Sequence, residues 1–124
     1  MTTLYVIIGA MVGAPSRFLV DQYLRRVMKY PLGIMVVNVL GSFVIGLTVV
    51  LPKGTATYTR IGSVDNMHAL VAIGFAGAFT TWSTFILDLY LAFELKQYKE
   101  ATKNLLLSLS LGLCAVWLGM HLAQ

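Results

Sequence analysis

The chain has 124 residues, of which 58% are hydrophobic and 11% charged, with a formal net charge of +4. That leaves too little polar surface to cover a globule of this size, which excludes a soluble domain and sets the class as an all-α integral membrane protein. The positive balance does not indicate nucleic acid, because the basic residues sit singly beside apolar spans, where lipid headgroups are the ordinary partner.

Four apolar stretches, about residues 4–20, 32–51, 67–93 and 105–122, come near or exceed the roughly 20 residues a helix needs to cross a bilayer. They leave nothing for a second domain, so residues 1–124 read as a single four-helix transmembrane domain. The start of the chain, Met1-Thr-Thr-Leu4, has neither a basic n-region nor a small-x-small cleavage site, and the first span is expected to stay in the protein.

In span one, Gly9 and Gly13 have the spacing that lets helix backbones approach closely, and Arg17 follows on the same face. Pro15 is expected to kink or end the regular ladder. Arg17 either snorkels to the interface or faces a wet vestibule that concentrates anions. The first loop is expected to hold Asp21, Arg25, Arg26 and Lys29, with Tyr30-Pro31 marking re-entry into the membrane. In span two, Asn38, Ser42 and Gly46 fall four apart and make one helix face small and polar. The Asn38 amide is either interhelical glue or a ligand for something that passes.

From Pro52 to Asn66 the chain turns polar and reads as a loop. Span three, from His68 to about Glu94, contains Gly74-Phe-Ala-Gly-Ala-Phe-Thr-Thr-Trp-Ser-Thr-Phe85. Four hydroxyls, on Thr80, Thr81, Ser83 and Thr84, crowd together at membrane depth, where an unpaired polar group costs several kcal/mol and must bond to protein, water or an ion. Serine and threonine compete for backbone hydrogen bonds, and with Gly74 and Gly77 nearby they predict a helix interrupted at Gly77–Thr81. Beyond the break, Trp82 and Phe85 would share one face, and Thr81, Thr84 and Asp88 another.

Residues 94–104 alternate Glu, Lys and Gln and read as a solvated connection. In span four, Ser108 and Ser110 lie on different faces. Cys114 can form no intrachain disulfide and is assigned no role. The chain has no metal-spaced Cys/His cluster, no Ser/His/Asp set and no phosphate-binding glycine loop, so no enzyme is expected. Seven basic residues (Arg17, Arg25, Arg26, Lys29, Lys96, Lys99, Lys103) flank the first and third loops, against Lys53 and Arg60 in the second. By the positive-inside rule, both termini would lie outside the cytoplasm.

The third-span motif, with Val37-Asn-Val-Leu-Gly-Ser-Phe43 in span two and Gly9-x3-Gly13-x3-Arg17 in span one, resembles the CrcB/Fluc family of fluoride channels. The three motifs occur in the family's order and span the chain. The resemblance implies a dual-topology, antiparallel dimer of four-helix subunits in the bacterial inner membrane, with fluoride pathways along the interface and one structural sodium ion that is not transported. Carried over, Gly77 and Thr80 would give backbone carbonyls to the sodium. Asn38, Trp82, Phe85 and Ser108 would line the pore with Thr81 and Thr84, while Arg17, Asp88 and Ser110 would act at the vestibule or in support. Trp82 stands where the family usually has phenylalanine, Ile86 where it has serine, Ile34 where it has threonine and Asp88 where it has glutamate. The charge bias fits a homodimer poorly, and an oppositely oriented homologue is the alternative partner.

The assignments that the resemblance implies also make physical sense in the chemistry of the ion. Fluoride is small and strongly hydrated, so a pore must replace lost water with compact donors: amide hydrogens, hydroxyls and the positive edges of aromatic rings. Sodium takes oxygen ligands, which an unwound segment supplies. The rival reading is a small four-span, proton-coupled multidrug exporter, which needs a titratable carboxylate deep in the membrane. Only Asp88 could serve as that group.

Overall fold

The structure, a computed structural model, describes residues 2–28, 32–49 and 66–123, and every regular element among them is helical. Helix α1 (Thr2–Val27) and helix α2 (Gly33–Val49) are followed by a third span in pieces. These pieces are one turn of α3 (Asn66–His68), a π-helix (Ala69–Ala76), one turn of α4 (Gly77–Phe79) and, after an interruption, α5 (Ser83–Glu94). Helix α6 (Tyr98–Leu122) completes the bundle. Three stretches, Thr2–Val27, Asn66–Glu94 and Tyr98–Leu122, are long and apolar enough to cross a membrane, and α2 is a shorter apolar helix of 17 residues. Large apolar side chains such as Met11, Phe18, Leu113 and Trp117 are exposed on the outer surface, as suits a multi-pass protein whose outer solvent is lipid.

Lipid tails are as apolar as leucine, so helices here associate through close packing rather than a hydrophobic drive. Two glycine crossings supply it. Gly9 and Gly13 of α1 lie directly against the π-helix, where a Cβ on Gly9 would run into the Leu70 carbonyl and the backbone of Phe75. Gly46 of α2 meets Gly119 of α6 in the same way, with the Val116 and Phe43 carbonyls in the path of any added Cβ. The side-chain core between the two halves is small: Ile34, Phe85, Leu89 and Ala101, with Ala92 and Leu105 packed on it.

Several boundaries differ from those the sequence predicts. Pro15 neither ends nor divides α1, which runs on to Val27 and carries Asp21, Arg25 and Arg26 on helix rather than in a loop. A proline removes one ladder bond. The bond lost here is the one to the Met11 carbonyl; the next carbonyl, that of Val12, takes the Ser16 hydroxyl at 2.7 Å, and an i,i+4 pair of Arg25 and Asp21 at 2.8 Å supports the last turns. The break falls at Thr80–Trp82 instead of Gly77–Thr81, because Gly77, Ala78 and Phe79 keep helical geometry and Thr80 turns extended (φ −79°, ψ 155°). The third connection is only Leu95–Gln97. Lys96 adopts a left-handed φ of 56°, and the Lys96 and Gln97 N–H groups close onto the Phe93 and Ala92 carbonyls, a helix stop that sends α6 straight back along α5. The first-loop residues Lys29, Tyr30 and Pro31, and the second loop with Lys53 and Arg60, lie outside the described residues.

Candidate functional site

The interruption of the third span is the polar centre of the molecule. Thr80 donates both its N–H and its hydroxyl to the Ala76 carbonyl, each at 2.9 Å, which closes the last turn before the break. A continued helix would aim the Thr81 N–H at the Gly77 carbonyl. Instead it donates to Asn38 Oδ1 at 2.8 Å, while Asn38 Nδ2 donates to the Thr81 carbonyl at 3.0 Å. The amide orientation is therefore set by its partner: an N–H must meet the oxygen, and a carbonyl must meet the nitrogen. One side chain of α2 thus replaces the two ladder bonds that Thr81 gives up. Asn38 is glue, and the second hydrogen on its Nδ2 is left over for another acceptor.

Beyond the break, the Thr81 hydroxyl lies 3.3 Å from both the Thr84 and Ser83 hydroxyls, and the Thr84 N–H points at Thr81 Oγ1 at 3.4 Å. Thr81 and Thr84 therefore form one hydroxyl row at the start of α5. A helix start offers unpaired N–H groups and positive potential, and a helix end offers carbonyls and negative potential. The break puts both within a few residues, donors suited to an anion and acceptors suited to a cation.

The carbonyl side bears on sodium. The Gly77 carbonyl loses its i+4 donor to Asn38, and the Thr84 N–H that would reach the Thr80 carbonyl turns to a hydroxyl. Gly77 is exposed, and a Cβ placed on it would meet nothing nearer than the Ala72 carbonyl at 3.9 Å. Carbonyls freed from the ladder are donors of the kind a hard monovalent cation takes, so the residues fit it.

The two aromatics part company. Their rings touch, with centroids 5.7 Å apart and planes tilted by 48°, but Trp82 is 67% exposed while Phe85 is 3% exposed in the core with Ile34 and Leu89. The contact expected from their spacing is present, since Trp82 already has helical dihedrals and its carbonyl takes the Ile86 N–H at 2.9 Å, but only Phe85 is buried. Ser108 is half-buried on α6 and donates along its own helix to Asn104 Oδ1 at 3.3 Å, and Ser110 is exposed. Arg17 is half-buried on α1, with no ion-pair partner among the described residues.

Asp88 has a role that spacing alone did not show. Its side chain is 6% exposed and takes Arg25 Nη2 on Oδ1 at 3.4 Å, while Arg25 Nε holds Asp21 Oδ2 at 2.8 Å. The i,i+4 spacing of Asp21 and Arg25 was the available signal for half of this cluster. The other half joins residues 63 apart and leaves no mark in the sequence. Gly41 and Phe79 were also missed. A Cβ on Gly41 would strike the Thr80 methyl group beside the Phe79 ring, so this glycine lets α2 approach the break.

Comparison with known proteins places these features in context. The family described as CrcB-like protein, Camphor Resistance (CrcB), matches residues 4–120. A protein of Parabacteroides distasonis named fluoride-specific ion channel FluC is 38% identical over 121 residues, covering 96% of this chain and 90% of the relative. A Geobacillus kaustophilus protein named fluoride-specific ion channel FluC 1 is 34% identical over 122 residues, covering 98% and 97%. A Shewanella baltica protein named fluoride-specific ion channel FluC is 36% identical over 121 residues, covering 96% and 93%.

Proposed function

The chain belongs to the CrcB-like protein family, and from that premise we propose that it is a fluoride-selective channel through which the anion leaves the cell passively. It is not an enzyme. The observation that carries the reading is the braced break: Asn38 pins Thr81 by both backbone groups and so holds the Thr81–Thr84 hydroxyls at a helix start inside an apolar span.

Such a site can do what fluoride transfer requires. The ion must exchange water for compact donors that neither collapse nor bind too tightly. The hydroxyl row, the remaining Asn38 amide hydrogen and the ring edges of Trp82 and Phe85 are donors of that kind. Trp82 is open to a second subunit, while Phe85 contributes from within the core beneath it. Ser108 and Ser110 are assigned to the fourth-span side of the path, and Arg17 to its mouth.

The functional unit is a pair of four-span subunits, with α2 as the fourth crossing, packed antiparallel in the bacterial inner membrane. The partner is a second copy or an oppositely oriented homologue. Gly77 and Thr80 would hold a structural sodium ion through their backbone carbonyls. When bound, sodium supplies positive charge that offsets the cost of a nearby anion in low dielectric. The drug-exporter alternative loses support because Asp88, the carboxylate assigned to it, and Asp21 on α1 are both engaged by Arg25.

The test is release of fluoride against chloride from liposomes holding only the purified chain. Rapid fluoride release with chloride retained is expected, and equal release of both ions would overturn the proposal.

A further inference from the structure

We infer that Arg25 is a positioning residue for conduction, keeping the Asp88 carboxylate charge-paired beside the anion path. The inference rests on the channel reading above. Asp88 lies four residues beyond Thr84 on the same face of α5, about 6 Å along the axis at about 1.5 Å per residue. An uncompensated carboxylate at that range repels a passing anion enough to slow it by roughly ten- to hundredfold at an intermediate dielectric. The side chain is 6% exposed, so water screens it little.

Among the described residues, compensation comes from one group. Arg25 reaches Asp88 with Nη2 at 3.4 Å while its Nε is held by Asp21 at 2.8 Å, so the planar fork spans two carboxylates on two helices. Asp21 fixes the guanidinium, and the guanidinium in turn faces Asp88. Oδ1 of Asp21 and Oδ2 of Asp88 are buried without a partner among the described residues. With two acids sharing one base, the cluster has no second cation among the described residues to take over if Arg25 is lost. Asp21 and Arg25 stand on α1, so this helix, which lends no group to the hydroxyl row itself, sets the electrostatics of the path.

The experiment compares the wild-type chain, Arg25→Gln and the double variant Arg25→Gln/Asp88→Asn in liposomes at less than one channel per vesicle. The fraction of vesicles that empty counts assembled channels, and the rate in those that empty reports each channel. Arg25→Gln is expected to slow fluoride release about tenfold or more in the emptying vesicles while the fraction that empties stays nearly constant, and Asp88→Asn is expected to restore the rate to within about threefold. A purely structural pair would lower the emptying fraction and leave the rate alone. That result, a wild-type rate in Arg25→Gln, or no restoration in the double variant would overturn the inference while the channel reading stands. Failure of the unmutated chain to release fluoride would overturn both.

Discussion

In the π-helix Ala69–Ala76 the backbone itself is the contact surface, with Gly74 lying against Val6 and Gly9 of α1. A few residues on, at Thr81, contact with the neighbouring helix is made by the two hydrogen bonds of the Asn38 amide. Both regions belong to one span and face the same apolar solvent. The first is held by closeness and tolerates no added volume. The second is held by polar pairing and tolerates no lost partner. A membrane helix can therefore be broken where a neighbour replaces its ladder, and a seam of small residues keeps the stretch before the break in place.

That contrast can be tested from both sides. The largest effect is expected at the polar end. Asn38→Asp sets a second acceptor against the Thr81 carbonyl and a negative charge on the path, and should cut fluoride release from liposomes by about a hundredfold or more. Unchanged flux would take Asn38 off the path.

At the packed end, Gly74→Val drives side-chain atoms into the Val6 carbonyl and is expected to destabilise the protein by about 1–3 kcal/mol. Thermal unfolding in detergent, followed by loss of helical circular dichroism, measures it. A wild-type midpoint would show that the seam is not tight.

Phe85→Ile probes where the two regions meet. Removing the ring edge should slow fluoride release by roughly three- to tenfold. The smaller side chain left in the core should cost about 1 kcal/mol, with elution on size exclusion unchanged. A wild-type rate would leave Phe85 as core and nothing more. Gly112→Ala is the smallest change, since its nearest neighbour would be Ser42 Oγ at 3.6 Å, and stability should stay within about 0.5 kcal/mol. A larger loss would mean that glycine content rather than close approach governs this bundle.

Part of the site is legible in the residues themselves. The crowding of Thr80, Thr81, Ser83 and Thr84 locates the break to within a residue or two, because an apolar span cannot carry that many hydroxyls on a continuous ladder without bending it. Glycine does not mark the break as expected. Gly77 stays helical because the π-helix before it still supplies partners, its N–H reaching the Ala72 and Gly74 carbonyls. The reach of α1 past Pro15 is also hidden from the sequence. Breaker residues report a local cost, whereas packing against the π-helix and the Asp21–Arg25 pair hold α1 together from outside the turn they disturb.

Composition and hydropathy by themselves determined the membrane class, the apolar stretches and the presence of a polar interruption, since each depends only on residues near one another along the chain. Tertiary structure alone decided that Asn38 serves Thr81, that Phe85 turns inward while Trp82 turns out, and that Arg25 faces Asp88. Each of these matches a group to a partner or surrounding that its near neighbours in the chain do not fix. An amide, a ring or a guanidinium shows what it can bind, but only the crossing of helices puts one particular acceptor within reach.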